Sequence, residues 1–132
     1  MLQAVSSNFV LSKSHLKKIV SLSFESKKNN ILLSNKFEID LLMRFALSFE
    51  ISHAINQVGI KPKSNFVLIG IGTKLSLNSL YDDLYPMTVP LFLKNHDSYL
   101  KRHFKITKKH LDSIQSKTPL EDILVEKAAI LF

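Results

Sequence analysis

Five histidines, His15, His53, His96, His103 and His110, are the first residues in this chain that suggest chemistry. The last three recur every seven residues. Seven helical residues rise about 10.5 Å, whereas zinc holds an imidazole nitrogen at about 2.0–2.1 Å. The ladder therefore cannot close on one metal ion. With no cysteine in the sequence, thiolate zinc sites, thiol nucleophiles and disulfides are excluded together. Serines are plentiful, but none sits in a Gly-x-Ser-x-Gly elbow. Asp82 and Asp83 are neighbours, and adjacent helical residues diverge by about 100°. They read as solvated surface rather than as an acid–base couple. Gly70-Ile71-Gly72-Thr73-Lys74 lacks the remaining glycine and the G-K-[ST] ending of a phosphate loop. It reads as a strand ending in a tight turn. A catalytic role would need a pocket gathering His15 or His53 with a carboxylate.

The basic residues say more. Eighteen Lys+Arg face eleven Asp+Glu, a formal net charge of +7 with His neutral. Residues 101–109 hold Lys101, Arg102, Lys105, Lys108 and Lys109 and no acid. The first 24 residues hold Lys13, Lys17 and Lys18, again without an acid, and Lys27, Lys28, Lys36 and Arg44 follow. Residues 1–66 carry nine bases against four acids, and residues 67–132 carry nine against seven. Such an excess suits an anionic partner: nucleic acid, an acidic protein or a membrane surface. Phosphate contacts need charge and little else, although a solvated face explains any single cluster equally well. Phe9, Phe24, Tyr81 and Tyr99 are the candidates for base stacking, but Phe at helical spacing is more often core.

These residues must be positioned by one domain, since 132 residues leave little room for two. An apolar content of 45% with 22% charged residues is globular, and a chain this long buries roughly two thirds of its unfolded surface. No apolar run approaches the roughly 18 residues of a membrane span. Met1-Leu2-Gln3-Ala4-Val5 does not begin a signal peptide. A cytoplasmic location is expected, without membrane association.

Residues 2–11 are β-prone. Ser12 or Ser14 can cap a helix to about Lys28, with Leu16, Ile19, Val20 and Phe24 on its inner stripe. Asn29-Asn30 break it. A second helix, from about Lys36 to Leu47, turns Phe37, Leu41, Leu42 and Phe45 inward. Ser48 is a plausible cap for a third, Glu50 to Val58, with Ile51, Ala54, Ile55 and Val58 inside and Gly59 ending it in the left-handed conformation. Phe66 to Ile71 is apolar at consecutive positions and predicts a strand buried on both faces. Leu75 to Leu84 reads as helix, Met87 to Leu93 as a short extended segment, and Asn95 to His103 as helix again. Thr107 can cap a short helix through Ile114. Thr118-Pro119-Leu120-Glu121 predicts a capping box with proline at the first helical position, opening a helix to the C-terminus. The expected fold is mixed α/β: a small mixed sheet covered by several helices in a single domain over residues 1–132.

One stretch carries a family resemblance. Asp40 to Ile60, DLLMRFALSFEISHAINQVGI, resembles a segment of the small KEOPS (EKC) complex subunit, the PRPK-binding protein (TPRKB) family. The family pattern is E-I-L-x-Y-x-S-G-x-x-Q-I-x-x-A-[IL]-x-x-x-G-I, then a polar turn and an apolar strand. Asp40, Leu41, Leu42, Ile51, Ala54, Ile55, Gly59 and Ile60 fall in register, and Phe66 to Ile71 supplies the strand. Val10 to Leu16 resembles the archaeal members' V-x-S-x-x-H-L helix start, and Leu120 to Phe132 is similar to their C-terminal helix. Residues 75–115 match poorly. Leu47 stands in place of the family's loop glycine, Glu50 in place of its glutamine, and His53 in place of an acidic residue. Members usually begin with a further strand and helix ahead of the part matching residues 2–11, so the chain is a short version of the pattern.

The resemblance implies a non-catalytic subunit. It would bind the complex's atypical kinase/ATPase and recruit tRNA by its 3′ CCA end for threonylcarbamoyl-adenosine modification. No cofactor, metal or small-molecule substrate is implied. On this view Lys13, Lys17, Lys18, Lys36, Arg44 and Lys61 are the expected phosphate contacts. Leu120, Ile123, Lys127 and Ile130 of the last helix are the expected kinase-docking residues, unless its apolar residues all face the core. The alternative is a generic basic module for single-stranded RNA or DNA.

Overall fold

The computed structural model describes residues 1–90 and 96–131. Strand β1 (Leu2–Ser6) leads through a 3-10 turn at Ser7–Phe9 into α1 (Lys13–Lys28), then α2 (Phe37–Ala46), α3 (Ile51–Val58) and strand β2 (Phe66–Gly70). Helix α4 (Lys74–Leu84) runs into a second 3-10 turn, Tyr85–Met87; α5 (Asp97–His103), α6 (Lys108–Asp112) and α7 (Pro119–Ala129) complete the chain. The fold is mixed α/β, with helices predominating over a small sheet. Among the described residues no helix is long and apolar enough to cross a membrane. Residues 91–93 of the expected extended segment lie outside the described residues, and its first residue, Met87, closes the second 3-10 turn.

Strands β1 and β2 pair antiparallel, with Leu2 opposite Gly70, Ala4 opposite Leu68 and Ser6 opposite Phe66. Directly opposed residues share a face. The other face, Gln3, Val5, Val67 and Ile69, carries Val5 and Ile69 into the core. The expectation that β2 is buried on both faces does not hold, because Phe66 is 49% exposed and Leu68 also reaches solvent. Helix α4, which has no buried residue of its own, stands at the Gly70 end of that face. Its Leu77 stands close enough that a Cβ on Gly70 would lie 3.1 Å from Leu77 Cδ2.

Helix α2 is central. Its residues Asp40 to Ala46 are all buried, and it packs on α1, α3, α7 and β1. Helix α1 starts where Ser12 predicts, since the Ser12 hydroxyl accepts the His15 amide N–H at 3.0 Å. It buries Ile19, but Phe24 is 45% exposed and leans on Phe37 with ring centroids 5.0 Å apart. Helix α3 buries Ala54 and Val58, while Ile51 and Ile55 remain half-exposed, because α3 touches the core along a narrower stripe than its sequence pattern offers.

Two turns depart from expectation. Gly59 has φ −65°, not a left-handed value. Glycine is required there for closeness instead, because a Cβ would lie 2.4 Å from the Ile55 carbonyl oxygen. The left-handed cap falls one helix earlier, at Leu47, with φ 52° and ψ 47°, a conformation that costs a non-glycine residue roughly 1–2 kcal/mol.

Candidate nucleic-acid interface

The solvent side of α1 is a basic stripe. Lys13, Lys17, Ser21, Phe24 and Lys28 follow one another at three- or four-residue steps and are all exposed, so they share one face. Lys13 to Lys28 spans about 22 Å along the axis. Exposed Lys27 and Lys36 flank the far end, where the Lys27 ammonium sits 5.9 Å from the centre of the Phe37 ring. Glu25 is the acid on this helix.

Lys18 is engaged elsewhere. Its ammonium lies 2.7 Å from Glu121 Oε2 at the start of α7. Ser12 donates to Glu121 Oε1 at 2.8 Å and Ser14 to Oε2 at 3.0 Å. Burial pushes the Glu121 carboxyl up, but these three donors outweigh it and hold it below the usual carboxylate range. The hydrogen bond to Glu121 raises the Lys18 ammonium above its ordinary value. This clasp replaces the expected capping box. Thr118 does occupy the N-cap and Pro119 the first helical position, but the Thr118 side chain caps no amide. Glu121 reaches across to α1 instead of back along its own helix.

Arg44 is not a phosphate contact. Its side chain is fully buried, with Nε 2.8 Å from Asp40 Oδ1, Nη1 donating to the Ala128 carbonyl at 2.8 Å and Nη2 to Ser26 Oγ at 2.7 Å. Asp40 also accepts from Ser23 Oγ and from the Leu33 amide. One helical turn separates the two partners, and the pair forms a polar centre within the core. The six expected contacts consequently do not converge. Lys13, Lys17 and Lys18 lie toward the start of α1. Lys36 stands beside the end of α1, and Lys61 lies in the turn after α3.

No protein-family model matches the chain, and no curated protein matches it.

The last helix divides. Leu120 and Ile123 are buried in the core, whereas Lys127 is exposed and Ile130, just past the helix, is 67% exposed. Lys127 and Ile130 line an open groove of about 330 Å³ with Leu47, Phe49, Phe104 and Leu131. Phe49 and Phe104 carried no sequence signal, since each lies in a connection between helices and joins the groove only through the tertiary fold.

His15 does not face the cleft that a paired carboxylate lines. The His15 ring is buried against Phe45 at 5.5 Å, and its Nδ1 accepts the Leu11 amide N–H at 3.1 Å. Burial pushes its pKa down to about 4, which nearby Glu121 opposes and Lys18 reinforces. The Ser12 and Ser14 hydroxyls donate to Glu121 and not to this imidazole, so no nucleophile–base contact forms. A cleft of about 350 Å³ beside the clasp is lined by Ser12, Glu121, Asp97, Lys101 and Lys117, but not by His15. Among the described residues no three His, Asp or Glu gather as metal ligands.

Proposed function

We propose that the chain is the small non-catalytic subunit of a KEOPS-type complex, binding its atypical kinase/ATPase and recruiting tRNA by the 3′ CCA end for threonylcarbamoyl-adenosine modification. The observation that carries this reading is Leu47. The resembling family places its loop glycine at this position, and here the backbone is left-handed, the conformation that favours glycine. The sequence register therefore agrees with a backbone property that the register did not use. The separation of surfaces supports the same reading: a basic stripe on α1, and an apolar groove at Ile130 with Lys127 beside it.

The test is a pulldown of the tagged chain from its native cell. Co-purification of a small kinase together with tRNA is expected. Recovery of RNA without any kinase, and with no preference for an intact CCA end, would favour the generic single-strand-binding module instead.

A further inference from the structure

The basic run 101–109 has no place in the function proposed above. In the structure it forms a corner. Helix α5 ends in Lys101, Arg102 and His103, and the chain reverses through Phe104 and Lys105, which is left-handed at φ 55°. The Ile106 amide donates to the Lys101 carbonyl at 2.8 Å, and the Thr107 hydroxyl accepts the His110 amide N–H at 3.2 Å to start α6. Leu100 and Ile106 are buried and anchor the turn. Arg102, Lys105, Lys108, Lys109 and His110 are left exposed around it. Residues 96–117 hold six Lys/Arg against two Asp.

Burial lowers the pKa of His103 at this corner, with smaller contributions from His53 and Lys61. Tyr99 stacks on the His103 ring at 5.9 Å and 13°, and His103 stands edge-on to Phe9 and Phe104 at 4.9 and 4.8 Å. Compensation of helix dipoles accounts for bases at the end of α5. It does not account for Lys108, the first residue of α6, where the dipole disfavours a cation.

We infer that the α5–α6 corner is a second nucleic-acid surface, contacting the phosphate backbone of RNA through Arg102, Lys105, Lys108 and Lys109. Protein interfaces draw most of their affinity from apolar or aromatic anchors at the centre of the contact, and interfacial membrane helices insert an apolar face. No large apolar residue between 96 and 117 is prominently exposed. Dense positive charge on a pinned backbone is what phosphate contacts require. The inference rests on the RNA-binding half of the proposed function and not on the kinase.

The experiment is fluorescence anisotropy of the full chain with a tRNA transcript ending in CCA, from 50 to 300 mM salt. The triple variant Arg102→Gln, Lys105→Gln, Lys108→Gln should keep its circular dichroism and lower the slope of log K against log salt by about 2, at roughly 0.7–0.9 per phosphate contact. A second triple, Lys13→Gln, Lys17→Gln, Lys28→Gln, reads the α1 stripe. A wild-type slope in the corner triple, with a reduced slope in the α1 triple, overturns the inference and leaves the proposed function standing. No tRNA binding by the unaltered chain overturns both RNA surfaces, and the kinase pulldown then decides the rest separately. Weaker binding of the corner triple to phosphatidylserine vesicles, with unchanged tRNA affinity, assigns the corner to a membrane and also overturns the inference.

Discussion

Acid should act on this protein through His15 first. Its folded pKa of about 4 lies below the ordinary 6.5, so the unfolded chain takes up the proton earlier. His15 therefore leaves stability intact above about pH 6.5 and removes it as pH falls toward 4, by at most about 3 kcal/mol. Glu121, held below the carboxylate range, adds a loss at still lower pH. Urea unfolding at pH 7, 5.5 and 4.5 checks this: His15→Asn should be less stable at pH 7 but flatter between the three. An unchanged pH dependence in that variant would rule out His15 as the source. Arg44 makes a second prediction at this scale. Removing one partner of a buried ion pair costs about 3–5 kcal/mol, so Arg44→Ala should unfold at far lower urea. A folded Arg44→Ala chain that merely bound RNA less well would contradict its burial. Removing Glu121 should cost less, about 1–3 kcal/mol, because Lys18, Ser12 and Ser14 remain near solvent. Glu121→Ala measured beside Arg44→Ala gives the ordering.

Among the elements, α7 allows the cleanest separation of docking from packing. Ile123→Glu should abolish cooperative unfolding, because it places a charge in the core. Ile130→Glu should fold with a melting temperature near that of the unaltered chain and lose the kinase in a pulldown. If Ile130→Glu kept the kinase, the groove beside Lys127 would not be the docking surface. The same helix shows where sequence is readable. Thr118 and Pro119 locate its start because caps depend on neighbouring residues, and Ser12 and Thr107 mark α1 and α6 for the same reason. Glu121 departs from the local capping pattern because its partners lie more than 100 residues away, and local spacing carries no such information. Periodicity likewise identified β2 as a strand but not its half-open face, since burial depends on what packs against it. Of the candidate interface, the exposure of Lys13 and Lys17 is legible from their charge. The burial of Arg44 is not, because a charged pair one turn apart has the same spacing in a core as on a surface.

For the whole molecule, much of the excess charge gathers on two elements of the fold, α1 and the α5–α6 corner. If both touch one RNA, combining the two triple variants should lower the salt slope by about the sum of their separate effects. A combined effect no larger than either alone would mean that they share one set of phosphates. The Arg44 side chain has a consequence for how the core opens. It donates to the Ala128 carbonyl, so the buried pair on α2 keeps all its partners only while α7 is docked. Fraying of α7 would leave a guanidinium donor without its acceptor, which ties the hydration of the core to the seating of a helix 84 residues away.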